Sequence, residues 1–346
     1  MPSVFLIGGT GHVGGAVLDQ LQTEHPDLPV TVLVRDEPKA TRLRAKYPRA
    51  QTVLGDLSTG DVVTSESRRA DIVLNCAPDI THEPAIKAAL DSMSEPGRKQ
   101  KGFFVQTTGT SDLYDEPTGS PDARVWDDMD DIKEIMNFDP NLTHEKGQSH
   151  LERRDPSIEH PVPLTTGAFV TTARAFNSGF KINTGENQFG WVHCVDLARA
   201  FLLLVDNALD SLNSNQPPAE PAGFPLWGRE AYYYAVLEHV AFRDFIAGLV
   251  PPMHKAGVIG SIDVVSVSSK DAARVCLAGT QEFNPDMKLP PLDSWQIHMA
   301  VGMGVNMRIR PSRLTKLGWK PREVSIMATL DDIIPLYLAW EKALSG

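Results

Sequence analysis

Val4-Phe5-Leu6-Ile7-Gly8-Gly9-Thr10-Gly11-His12-Val13-Gly14-Gly15 decides how this chain folds. The four apolar residues read as a buried parallel strand and the glycine-dense stretch as a tight turn. The amphipathic run that follows (Ala16, Val17, Leu18, Leu21) reads as a helix. Strand, turn and helix bring backbone N–H groups and a positive helix end to one point, a seat for a pyrophosphate. The spacing is Gly8-x-x-Gly11-x-x-Gly14 rather than G-x-G-x-x-G. Gly8 permits the tight turn, Gly11 the close approach of phosphate, and Gly14 the packing of helix on strand. Thr10, His12 and Val13 line the same turn.

The same alternation continues downstream. Residues 29–35 are a β-branched run that reads as a second strand, and residues 38–47 as a short basic helix. Residues 51–57, 70–77 and 102–109 read as third, fourth and fifth strands, with a helix over 84–93. Strands alternating with helices at this interval predict βαβ units, an α/β fold with a doubly wound parallel sheet.

Ligands of such a sheet bind at the carboxyl ends of its strands. The second strand ends in Val34-Arg35-Asp36, about twenty residues past Gly14, where the adenosine ribose lies. Arg35 offers a planar fork for the extra phosphate of NADP, while Asp36 keeps NAD open. The reading is NADP(H) over NAD(H). Asp56-Leu57 ends the third strand beside the adenine; its carboxylate either accepts from the exocyclic amine or closes an Asx turn. Asn75-Cys76-Ala77 ends the fourth strand, where small residues let the backbone approach the cofactor. Cys76 lies in an apolar stretch with no partner histidine in sight, which argues against a nucleophile.

Composition narrows the class. A chain of 346 residues suffices for one large or two ordinary domains. Its net charge of -11 argues against nucleic acid as a partner. Three cysteines, Cys76, Cys194 and Cys276, have no metal spacing and no disulfide pattern, and no secretory leader or membrane-length apolar run is visible. A cytoplasmic protein without nucleic-acid or membrane partners is expected. Asp127, Asp128, Asp130 and Asp131 lack the glycine and glutamate of a calcium loop and read as a solvated loop and helix face, with no metal. Residues 161–167 are expected to form a further strand despite two prolines, residues 197–205 an apolar helix, and 217–225 a linker or surface loop. Tyr232 to Tyr234 read as an apolar strand. Trp126, Trp191, Phe176 and Met303 read as core packing before pocket lining. His193 is expected to support the loop before the apolar helix and Asp196 to cap that helix.

The chain resembles the short-chain dehydrogenase/reductase superfamily, in particular its extended and atypical members. Gly8-Gly9-Thr10-Gly11-His12-Val13-Gly14 looks like their glycine turn, Gly55-Asp56-Leu57 like their adenine motif, and Val105-Gln106-Thr107-Thr108-Gly109-Thr110 like their catalytic fifth strand. Residues 191–198 are similar to the histidine–aspartate segment of sugar-nucleotide epimerases. Gly304-Val305-Asn306-Met307-Arg308 and Leu317-Gly318-Trp319-Lys320-Pro321 look like the C-terminal closing motifs. Within that superfamily the chain resembles fungal epimerase-like and NmrA-like proteins. The resemblance implies a Rossmann domain, NAD(P) as ligand and a smaller C-terminal substrate-binding domain. The divisions expected are 1–165, rejoined by 190–210, for the first, and 168–189 with 211–346 for the second.

One departure bears on the chemistry. The family uses a tyrosine with a lysine four residues on, and none of the six tyrosines here has one. Where the pair belongs, the chain reads Asn141-Leu142-Thr143-His144-Glu145-Lys146-Gly147-Gln148. The fifth-strand hydroxyl survives as Thr107 or Thr108. The expectation is an NADP(H)-dependent reductase of a small carbonyl or imine. Thr108 would orient the substrate, and the proton would come from His144, Lys146, Tyr114 or water. A non-redox cyclase or isomerase on the same scaffold, or an NmrA-like dinucleotide sensor without turnover, remain alternatives, and a homodimer stays open.

Overall fold

In the computed structural model the first apolar run is strand β1 (Val4–Ile7), and its side chains divide by parity. Val4 and Leu6 enter one buried cluster, Phe5 and Ile7 another. That alternation is what a strand covered on both faces requires. The structure describes residues 1–77, 82–98, 102–110, 113–121, 124–136, 165–220, 223–278, 286–288 and 302–345.

Four more strands, β2 (Val30–Val34), β3 (Gln51–Leu54), β4 (Ile72–Asn75) and β5 (Phe103–Gln106), join β1 in an all-parallel sheet of order β3-β2-β1-β4-β5. Helices α1 (His12–Glu24) and α2 (Glu37–Lys46) cover one face, α3 (Gly60–Arg69) and α4 (Glu83–Met93) the other. The order reverses between β1 and β4, and that switch point opens a crevice at the strands' carboxyl ends. The third, fourth and fifth strands stop two to three residues short of the expected bounds, and the residues they give up form the loops facing that crevice. Helix α3 is an addition: only Val63 and Ser67 of it are buried, too little apolar signal to announce a helix.

A second core lies beyond the sheet. After β6 (Trp126–Asp127) and a short α5 (Ile132–Ile135) come α6 (Thr165–Phe176), β7 (Gly179–Ile182), β8 (Gln188–Trp191) and α7 (Cys194–Ser214). Then follow β9 (Glu238–Ala241), α8 (Phe242–Lys255), β10 (Val264–Val267), α9 (Ser269–Ala278), β11 (Ile309–Arg310), α10 (Ser312–Lys316) and α11 (Leu330–Ser345). Strands pair as β7 with β10, β6 with β11 and β8 with β9. Phe169, Phe180, Phe242 and Phe245 meet at its centre, with the Phe180 and Phe242 rings 5.6 Å apart. Trp191, Phe176 and Met303 pack there and Trp126 in a satellite cluster, so core packing is their role. Helix α7 returns to the first core: Ala198, Phe201, Leu202, Val205 and Ala208, at helical spacing, close over Val17, Leu18 and Leu21 of α1.

Four expectations are corrected. Of the strand expected over 161–167, Thr165 to Gly167 open helix α6, and 161–164 lie outside the described residues. Tyr232 to Tyr234 are not a strand: the Tyr233 hydroxyl donates to the Leu226 carbonyl (2.7 Å) and the Tyr234 N–H to Asp128 (3.1 Å). The apolar helix runs from Cys194 to Ser214, well past Val205. The aspartate cluster is not solvated throughout. Asp128 is fully buried and accepts the Arg313 N–H at 2.9 Å; Asp127, 4% exposed, accepts from Ser312 Oγ at 2.6 Å and Arg310 Nη1 at 3.3 Å. Burial pushes the Asp128 carboxyl up to about 6, against the pull of the Arg313 and Tyr234 N–H groups. Among the described residues, no three His, Cys, Asp or Glu side chains are set to hold a metal ion, and no helix is long and apolar enough to cross a membrane.

Candidate dinucleotide site

Three glycines of the turn, Gly8, Gly9 and Gly14, have no room for a side chain. Gly8 sits at φ +79°, and a Cβ on it would lie 2.6 Å from the Cys76 carbonyl and 2.7 Å from the Ala77 nitrogen. One on Gly14 would lie 2.2 Å from the Gly8 carbonyl oxygen, so α1 packs on the turn itself. Gly9, assigned no part by the sequence, would strike Val32 and Leu6 at 2.7 and 2.9 Å. The Gly11 N–H donates to the Gly8 carbonyl at 2.9 Å and fixes the turn. Gly11 is also the N-cap of α1, which has neither a capping side chain nor an acidic residue in its first turn. The N–H groups of His12, Val13 and Gly14 lead the helix, and Thr10 flanks them. A close backbone cradle with a helix end that no side chain caps fits the pyrophosphate of a dinucleotide.

The neighbouring strand ends are laced to this turn. Cys76 N–H donates to the Ile7 carbonyl (2.9 Å), Thr107 N–H to the Asn75 carbonyl (2.9 Å), and Ala77 N–H to Asn75 Oδ1 (3.2 Å). The Thr107 hydroxyl is buried beside the Cys76 thiol, whereas Thr108 is exposed. Burial pushes the Cys76 thiol up to about 12, which keeps it protonated at pH 8. A small alkylating reagent at that pH is therefore expected to leave the Cys76 peptide unmodified in the native protein and to label it fully after denaturation, by mass spectrometry. Rapid native labelling would return Cys76 to the list of nucleophiles.

At the adenosine end Arg35 is exposed beyond β2. Asp36 is the N-cap of α2: Oδ1 accepts the Lys39 N–H at 2.8 Å, and Oδ2 lies 3.1 Å from Lys39 Nζ. The Lys39 N–H, with Lys39 and Arg42 charge behind it, holds the Asp36 carboxyl below its usual range. Lys39, only 4% exposed, was not singled out from the sequence. Its signal was there in Asp36-Glu37-Pro38-Lys39, a capping aspartate followed by a helix-opening proline. Asp56 closes an Asx turn: its Oδ1 accepts from Ser58 N and Oγ (2.9 and 2.8 Å) and from Thr59 N and Oγ1 (3.1 and 2.9 Å), which keeps the carboxyl ionised to lower pH. Leu57 packs under that turn.

Of the proton-donor candidates, His144 and Lys146 lie outside the described residues. Tyr114 is described, packed against the second core, and burial pushes its phenol up to about 12, away from what an acid near neutral pH needs. In the histidine–aspartate segment the roles differ from expectation. His193 is the N-cap of α7, its Nδ1 accepting from Val195 N–H at 3.2 Å. Asp196, with no exposed surface, accepts from Arg322 N–H (2.9 Å), Glu323 N–H (3.0 Å) and Arg199 Nη1 (2.6 Å), and its carbonyl accepts from Trp319 Nε1 (2.8 Å). It ties the closing motif at 317–321 to α7 instead of capping the helix. The other closing motif is held the same way: Asn306 Nδ2 donates to Asp115 Oδ2 (2.8 Å) and the Ser120 carbonyl (2.9 Å).

Residues 8–137 match a family model described as NAD(P)H-binding. The chain is 24% identical over 363 residues to Oxidase ucsJ of an Acremonium species, with 96% of each chain covered. Its fold is that of dTDP-glucose 4,6-dehydratase from Bacillus anthracis, solved with NAD: TM-score 0.55, 9% identity, 99% of this chain and 98% of that one. It is similarly that of UDP-glucose 4-epimerase from Thermotoga maritima: TM-score 0.52, 11% identity, 97% of this chain and 99% of that one. At such identities the two structures establish the architecture alone.

Proposed function

We propose that the protein, an NAD(P)H-binding chain of epimerase/dehydratase-like architecture, is an NADP(H)-dependent oxidoreductase of a small carbonyl or imine compound in biosynthesis, acting in the cytoplasm. The observation that carries this is the glycine cradle at the β1/β4 switch point, where the carbonyls of Cys76 and Gly8 leave no space for a side chain at Gly8 and Gly14. That the full-length relative is named an oxidase supports redox chemistry.

When bound, the cofactor supplies or accepts a hydride. The chain does the rest. The leading N–H groups of α1 hold the pyrophosphate, and Arg35 takes the phosphate that distinguishes NADP. The exposed Thr108 hydroxyl orients the substrate's oxygen or nitrogen, and the buried Thr107 hydroxyl lies behind it at the end of β5. With no Tyr–Lys pair, an iminium substrate suits the site, because it arrives already protonated. The same gap favours, as a second reading, a non-redox cyclisation or isomerisation in which binding geometry supplies the acceleration.

The test is equilibrium binding of NADPH and NADH, then a substrate screen by cofactor absorbance. Wild-type protein is expected to prefer NADPH, and Arg35→Ala to weaken NADPH about tenfold with NADH unchanged. Product formation with no change at the nicotinamide would establish the non-redox reading. Binding without turnover would establish a sensor.

A further inference from the structure

We infer that Lys39 sets the dinucleotide preference by neutralising Asp36 rather than by touching the cofactor. This rests on the dinucleotide site proposed above. An acid at the end of the second strand of such a sheet accepts from the ribose hydroxyls of NAD and repels the added phosphate of NADP. Asp36 stands one residue beyond Arg35 at that place, so by sequence it opposes the arginine. In the structure both its oxygens are engaged by one residue: Oδ1 by the Lys39 backbone N–H, Oδ2 by the Lys39 ammonium. The two engagements differ in strength of claim on the side chain. The N–H contact is an ordinary helix cap, while the Lys39 side chain as a whole is 5% exposed against 41% for that of Asp36. A lysine drawn into a buried position beside a half-exposed acid is held there by that charge.

The surrounding charges make the neutralisation decisive. Glu37, the other acid of the turn, is paired with Arg44. Arg42 acts on Asp36 from the next turn of α2. With Asp36 balanced by Lys39, the guanidinium groups of Arg35 and Arg42 stand at the β2 end against the carboxylate of Asp56 at the end of β3, a setting a phosphate dianion favours. Without Lys39, Asp36 would offer a free acceptor to a ribose diol and a negative charge to a phosphate.

The experiment is a charge cycle read by nucleotide titration: wild type, Lys39→Met, Asp36→Ser and the double variant, each with NADPH and NADH and each melted to confirm folding. Methionine fits the buried stem, and serine keeps the helix cap while removing the charge. Lys39→Met is expected to weaken NADPH at least about tenfold and to tighten NADH, a reversal of one charge's effect at short range. The double variant is expected to recover NADPH affinity to within about threefold of wild type, because the repelling charge has gone with its partner. Asp36→Ser alone leaves the Lys39 charge uncancelled and should tighten NADPH several-fold, and it decides the matter if Lys39→Met does not fold, an unchanged affinity then overturning the inference. A double variant as weak as Lys39→Met, or a tenfold NADPH loss in Asp36→Ser, overturns the inference and makes Lys39 or Asp36 a direct ligand. A wild-type protein that binds neither nucleotide overturns the site itself.

Discussion

A Gly14→Ala variant is expected to lose dinucleotide binding while remaining folded. The added Cβ would lie 2.2 Å from the Gly8 carbonyl oxygen, 2.7 Å from its carbon and 3.1 Å from the Cys76 Cβ. The two nearest atoms are backbone, so no side chain can rotate away and α1 must lift off the turn. Overpacking of this kind costs about 1–3 kcal/mol, which a domain of ordinary stability survives. The helix end does not survive it in function: displacing the N–H groups by about 1 Å is worth roughly a hundredfold where geometry sets affinity. Gly15→Ala is the matched control, since its Cβ would meet nothing closer than 3.8 Å and the helix gains alanine's propensity. Fluorescence titration with NADPH, beside a melting curve, separates the two. Wild-type affinity in folded Gly14→Ala would remove the glycine turn from the site.

The second large effect is on stability. Asp196→Ala removes a fully buried carboxylate that satisfies two backbone N–H groups and Arg199 at once. Leaving the two buried N–H groups without a partner, and Arg199 with Glu323 alone (2.9 Å), costs about 3–5 kcal/mol. If the chain melts as one unit, its midpoint should fall by about 4–7 °C. Asp196→Asn should fall between, because an amide keeps one acceptor but turns a donor toward a second donor. Unchanged melting with lost turnover would instead place Asp196 in the chemistry.

How far the sequence could be read depends on the reach of each residue's partners. The inner strands β1, β2 and β4 were legible because both faces are covered and their residues are almost wholly apolar, the exposed edge strand β3 by its place in the alternation, and the glycines because their spacing reports the turn directly. Helix α3 was hidden by its polar surface, with Val63 and Ser67 alone turned inward. Asp127 and Asp128 misled because what satisfies them, Ser312 and Arg313, lies 185 residues away. An acidic run looks solvated until its distant donors are known. Asp196 misled in the same way: its place suited a cap, but His193 already caps the helix, which left the aspartate for a segment 126 residues downstream. For Lys39 the capping aspartate and helix-opening proline report the backbone N–H contact to Asp36, but nothing on a basic helix reports the second contact, through the ammonium.

Helix α7 carries a consequence for how the protein is made. The sheet's last strand ends at Gln106, yet Phe201, Leu202 and Val205, which close over Val17, Leu18 and Leu21, follow almost a hundred residues later, and Trp227, whose ring meets Phe103 at 4.7 Å, later still. A ribosome therefore releases every strand of the nucleotide-binding sheet before the helix that shelters one flank of it exists. For the seconds in between, the emerging polypeptide holds a greasy, half-covered surface that only its own unwritten part can seal. Exposure of that surface during synthesis follows from the order of the elements, and a stop before residue 194 is expected to leave a fragment whose sheet lacks the cover α7 gives.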